Sequence, residues 1–178
     1  MKRNFKTLIS AAVILCFVIL AVASGSGDNT PVSKVGSEGK DNDNIARVGE
    51  TLERGGIQIT LDKVELYTDD SEYFSQEPEE GNVYLLLWFT VKNTTEKDEY
   101  INSLYGSGYC DDLSAKEVWL MNVKGETFGG DIAAGKNMKG YIAYEVPENW
   151  NAIEYQYKTL FATQESKMTF KATKDDIK

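Results

Sequence analysis

The residues best suited to chemistry are tyrosines and carboxylates. Tyr100-Ile101-Asn102-Ser103-Leu104-Tyr105-Gly106-Ser107-Gly108-Tyr109-Cys110-Asp111-Asp112 reads as a long connection rich in Tyr, Gly, Ser and Asp. Such a loop on a rigid scaffold suits recognition, because tyrosine offers contact area at low entropic cost. Tyr100, Tyr105 and Tyr109 are its candidate ligand-binding residues; the competing expectation is that they tuck under a sheet edge. A second group is acidic. Asp69 to Glu80 holds six carboxylates, and Asp69 and Asp70 together with Asp111 and Asp112 could offer oxygen ligands to calcium in a calcium-dependent binding domain. No calcium-loop spacing is present, so a solvated acidic loop is the other expectation. Asp41-Asn42-Asp43-Asn44 opens like a calcium loop, but Ala46 and Leu52 stand where its glycine and its bidentate glutamate belong.

The sequence excludes more than it offers. Histidine is absent and cysteine occurs twice, which removes the Ser-His-Asp triad, the Cys-His pair, zinc sites and any disulfide framework. Two carboxylates flanking a cleft would serve a glycosidase without histidine, but no motif places two of them so. The expectation is a protein that is not an enzyme and has no cofactor.

The elements that must position these residues follow from composition and period. The chain has 178 residues, 42% of them apolar and 11% aromatic, enough for a packed core in one domain with appendages. Lys2, Arg3 and Lys6 precede an apolar run from Leu8 to Ala23 that closes on Ala21-Val22-Ala23. Residues 1–23 therefore read as a signal peptide cleaved after Ala23, or as a membrane anchor that stays. Membrane contact is expected through this segment only, and the location is extracellular, secreted or anchored at the cell surface. Cleavage removes three basic and no acidic residues and takes the net charge from −9 to −12. Such a surface repels phosphate backbones, so nucleic acid is not an expected partner. Cys110 is then the sole exported cysteine, either buried as a small apolar side chain or free to pair between chains.

Residues 24–46 are dominated by Gly, Ser, Asn and Asp and read as a flexible linker. From Val48 onward, two-residue alternation replaces any helical period. Ile57, Ile59 and Leu61 alternate, the phase slips at Asp62-Lys63, and Val64 and Leu66 resume it, the mark of a β-bulge. Val83 to Val91 is apolar on both faces and reads as a central strand. Further strands are expected at Val118–Met121, turned by Asn122 to Glu126, at Gly140–Val146, at Ile153–Tyr157 and at Met168–Phe170. Six or seven strands with Gly- and Asn-rich turns give an all-β, immunoglobulin-like antiparallel β-sandwich over 47–178, held by apolar packing without the inter-sheet disulfide.

Four pieces stand in order: Ile57 to Val64, Tyr84 to Asn93 ending in Val-Lys-Asn, Ala134 to Tyr141 containing Lys-Gly-Tyr, and Tyr144-Glu145-Val146-Pro147. Together they resemble the telokin-like, immunoglobulin-fold family of exported proteins and lipoproteins of Gram-positive bacteria, related to the mycobacterial immunoprotective extracellular protein. The resemblance covers about residues 47–173 and implies fold and location; it brings no catalytic residues. Many members carry a lipid-attachment cysteine after the apolar run, where this chain has Ala23-Ser24-Gly25-Ser26, with Cys16 in mid-run.

The expected function is a non-catalytic extracellular binding module, its partner an extracellular protein or a cell-wall component. The alternative is a structural or envelope-stress protein without a discrete ligand. A binder should carry an exposed aromatic cluster; a structural module should bury its tyrosines.

Overall fold

The computed structural model describes residues 30–36, 44–158 and 166–177; the signal or anchor segment at 1–23 and the Asp41-Asn42-Asp43 stretch lie outside them. The described strands are β1 (Ser33–Lys34), β2 (Ile45–Arg47), β3 (Thr51–Arg54), β4 (Ile57–Tyr67), β5 (Asn82–Asn93), β6 (Glu99–Asn102), β7 (Gly106–Cys110), β8 (Leu113–Ser114), β9 (Lys116–Val118), β10 (Gly129–Ile132), β11 (Asn137–Pro147), β12 (Ala152–Tyr157) and β13 (Met168–Thr173). They form a first sheet ordered β1-β3-β4-β5-β11-β9, a second ordered β2-β13-β12-β7-β8, and a small ribbon of β10 with β6. Strand pairs are antiparallel except β2 with β13, where Ala46 stands opposite Phe170. This is the expected immunoglobulin-like β-sandwich.

Alternation builds the interior. Ile153, Tyr155 and Tyr157 of β12 are buried while Glu154 and Gln156 between them face outward. Leu85, Leu87, Phe89 and Val91 of β5 point into the space between the sheets. There Phe89 meets the rings of Phe128, Tyr155 and Phe170 at centroid distances of 5.0, 5.3 and 5.5 Å, close to the spacing aromatic pairs prefer. Each such side chain contributes about 1.5–3 kcal/mol by leaving water. The bulge stands where the phase slips: Leu61 pairs with Phe89 and Lys63 with Trp88. The extra residue, Asp62, turns outward and accepts a hydrogen bond from Thr90 Oγ1 at 2.6 Å, which lets Val64 return to the core.

Three expectations need correction. The stretch read as linker at 24–46 contributes β1, zipped to β3, and most of β2, zipped to β13. Its few apolar residues explain this, for Val32 and Ala46 are buried in the core. The strand expected at Val118–Met121 ends at Val118. The connection read at Tyr100–Asp112 is mostly strand, β6 and then β7 joined by a turn at Ser103–Tyr105. Its glycines serve packing: a Cβ on Gly106 would lie 2.0 Å from the Tyr155 ring, and one on Gly108 would lie 2.4 Å from the Tyr144 ring. Cys110, in β7, is free and buried.

Candidate functional site

Because β5 is apolar on both sides, the first sheet has an apolar outer face as well as an inner one. Tyr84, Leu86, Tyr141 and Ala143 form a second cluster there, closed by Leu120, with Trp88, Val118 and Val123 packed against it. The chain from 119 to 125 is thus a cover, and it has no ladder hydrogen bonds to hold it. Side chains hold it instead. Tyr141 Oη donates to Leu120 O at 3.2 Å. Gln76 spans two residues of the cover: its Nε2 donates to Trp119 O at 2.9 Å and its Oε1 accepts from Met121 N at 2.8 Å. Asn122 Nδ2 donates to both Asp69 oxygens, at 2.8 and 3.1 Å. Asp69 also accepts from Ser71 N and Gln76 N, at 3.2 and 3.0 Å. The Asn122 amide, then the Gln76 and Ser71 N–H groups, hold the Asp69 carboxyl below the usual carboxylate range.

A cover one residue thick cannot turn every side chain inward. Leu120 points in, and its neighbours Trp119 and Met121 are 68% and 70% exposed. Trp119 lines a groove of about 300 Å³. Tyr100 of β6 and Leu104 of the following turn line it too, 60% and 75% exposed. The floor is Phe128 with Gly129 and Gly130 of β10. Both glycines have positive φ, 139° and 131°, which side-chain-bearing residues rarely adopt, and a Cβ on Gly130 would meet nothing within 4 Å. Bare backbone therefore lies open at Gly130 among exposed apolar side chains, a surface that soluble proteins seldom present without a use, whereas a Cβ on Gly129 would lie 3.3 Å from Ile101 O.

The three candidate tyrosines do not converge. Tyr100 lines this groove. Tyr105 is half-buried and packs against the core. Tyr109 faces out from the second sheet, in a separate groove with Arg47, Glu154 and Lys171. The loop expectation fails for Tyr105 and Tyr109 because both lie where β7 and the core fix them. Trp119, Leu104 and the Gly129-Gly130 pair carry no motif that marks them as site residues in the sequence. The glycine doublet that opens β10 is the available signal, since it marks backbone that something approaches closely.

The proposed metal residues are also dispersed. Asp69 pins the cover, and Asp70 beside it is exposed. Asp111 and Asp112 form the two-residue hairpin between β7 and β8, with φ of 45° and 70°, a turn that aspartate tolerates. Asp111 accepts from Ala152 N and Asn151 N, both at 2.9 Å, and these N–H groups hold its carboxyl below the usual range. Among the described residues no three acidic or thiol side chains gather as metal ligands.

The carboxylates that do meet are neutralised. Lys116 Nζ lies 2.7 Å from Glu79 and 2.8 Å from buried Glu145. Burial alone would raise the Glu145 carboxyl, but hydrogen bonds from Lys116, Glu79 N and Asn82 outweigh it and hold the group low. The pair fastens the chain at 79–82 to β11 and β9, and it lacks the raised pKa a general acid needs.

A family model described as a domain of unknown function, DUF4352, matches residues 46–168. Among solved structures, a candidate lipoprotein of Bacillus subtilis, YcdA, superposes with a TM-score of 0.55 at 20% identity over 67% of this chain. This chain spans only 37% of that protein. The YjhA protein of Bacillus subtilis gives 0.52 at 20% identity, covering 70% of this chain and 97% of its own. A candidate lipoprotein of Staphylococcus aureus gives 0.54 at 12% identity, covering 74% and 93%. At these identities the likeness is one of fold. No curated protein matches the sequence.

Proposed function

The chain belongs to the DUF4352 family, and because that family's description names no activity, we propose from the surface of this protein that it is a non-catalytic binding module displayed outside the cell. The observation that carries this is the groove: Tyr100, Leu104 and Trp119 stand exposed around a floor of bare backbone. Phe128 ties the floor to the core, and a hydrogen-bonded cover holds Trp119, so little conformational entropy is lost on binding. The basic residues and apolar run at the N-terminus support export. So does the description of two structural neighbours as candidate lipoproteins. This chain lacks a cysteine after its apolar run, so attachment is by the N-terminal segment itself, or absent after cleavage. The partner is an extracellular protein or a cell-wall component; nucleic acid is not a partner. The closer kinship to the telokin-like proteins and the mycobacterial immunoprotective extracellular protein belongs to this proposal too, supported by the order of the four sequence pieces.

The test is co-sedimentation of the full chain with purified Gram-positive cell walls. Trp119→Ala should lower the affinity by about tenfold or more, since a central tryptophan anchor is worth about 2 kcal/mol or more. Its melting temperature should stay unchanged, because the side chain is exposed. Equal sedimentation of variant and parent would discard the groove as the binding site.

A further inference from the structure

We infer that the groove takes a neutral saccharide chain; this rests on its reading as the recognition site. The chain has 28 acidic and 19 basic side chains, yet no charged side chain among the described residues lines this groove. An ionic ligand would find no counter-charge there, and an anionic one would also face the repulsion of the surrounding surface. What the groove offers is flat and neutral. Trp119 and Tyr100 both line it and are largely exposed, and aromatic rings suit the C–H face of a pyranose. Asn102, Ser103 and Thr127 line the same groove and supply neutral hydrogen-bonding groups for hydroxyls. Asn102 Oδ1 accepts from Leu104 N at 3.0 Å, which fixes the amide and leaves its NH₂ donors without a partner among the described residues. The open backbone at Gly130 lets a flat ring approach without meeting a Cβ. A wholly apolar peptide fits less well. It would leave those polar groups unpaired on desolvation, and Phe128, the apolar part of the floor, is already 98% buried and offers no pocket.

The experiment titrates the full chain with chitohexaose, cellohexaose and maltohexaose, following tryptophan fluorescence and melting temperature. Hexalysine, hexaglutamate and an apolar hexapeptide serve as competitors. The expected result is a saturable fluorescence change with at least one sugar and none with the charged peptides. Trp119→Ala should weaken that binding at least tenfold, and Trp119→Phe should restore part of it. Binding of the apolar peptide with no sugar response overturns the inference. So does Trp119-dependent wall binding that survives digestion of the wall glycan, an outcome that leaves the groove standing as a site. Wall or sugar binding that ignores Trp119→Ala overturns the groove itself, and the saccharide with it.

Discussion

The two sheets turn different outer faces to their surroundings. That of the first sheet is apolar, with Tyr84, Leu86, Tyr141 and Ala143, and the chain from 119 to 125 lies across it. That of the second is a polar ladder. One row runs across all five strands, from Arg47 through Lys171, Glu154 and Tyr109 to Ser114, and it stands open as a groove of about 400 Å³. A face of charged and hydroxyl groups is stable in water and asks for nothing. An apolar face must be covered, and the cover here is irregular chain whose position depends on Asp69, Gln76 and Asn122. That chain cannot alternate cleanly, so it exposes Trp119 and Met121 on its far side. The exposure of Trp119 beside the β6–β10 ribbon is thus a consequence of the second apolar cluster rather than an addition to the fold.

The largest effect should come from the interior. Leu87→Ala should destabilise the protein by about 2–5 kcal/mol in chemical denaturation, because the side chain is fully buried between two sheets that cannot close the gap. A loss under about 1 kcal/mol would end its assignment to the core. Leu86→Ala, one residue along and on the outer face, should cost about 2 kcal/mol, the low end of the same range. The cover at 119–125 is held at a few points and can settle into the space. Equal losses at the two positions would mean that the cover is as rigid as a sheet, and the contrast between the two apolar clusters would collapse.

This contrast also sets what could be read from the sequence. The strands of the interior were legible because burial imposes a period of two, seen in Ile153, Tyr155 and Tyr157 and in the slip at Asp62. The doubly apolar β5 was legible for a different reason, a continuous apolar run that fits a strand covered on both faces. The cover was not. Val118 to Met121 has the composition of a strand, but tertiary packing took Leu120 inward without a ladder, and propensity has no term for that. β6 and β7 were hidden by Gly106 and Gly108, which look like loop residues and serve to admit the rings of Tyr155 and Tyr144. Asp69 was legible as an acid but not as a fastener, since its partner Asn122 is 53 positions away.

Acid should loosen the cover at Asp69. Asp69 has a lowered pKa in the folded protein, so its contribution is present above the unfolded value of about 3.9 and is lost as pH falls through the folded value. Between pH 6 and pH 2 the emission of Trp119 should shift in a step below about pH 4 while far-ultraviolet dichroism still reports the sheets. Trp119→Phe identifies the reporter by removing the step. Asp69→Ala should show the shifted emission already at pH 6 and no step on acidification. A step that survives in Asp69→Ala would assign the transition to other carboxylates and detach the cover from Asp69.

The smallest effect belongs to the open face. Glu154 lies 2.6 Å from Lys171 Nζ and accepts from Gln156, and the Lys171 side chain is 47% exposed. Burial would raise the Glu154 carboxyl; the bonds from Lys171 and Gln156 outweigh it and lower its pKa. An ion pair so close to water gains little, because solvent screens it and ordering two side chains costs entropy. Glu154→Gln should therefore change stability by less than about 1 kcal/mol, in a difference that shrinks further in high salt. A loss above about 2 kcal/mol that salt does not reduce would mean that this row is shielded from solvent. The second sheet would then need a cover of its own, and the asymmetry between the two outer faces would be gone.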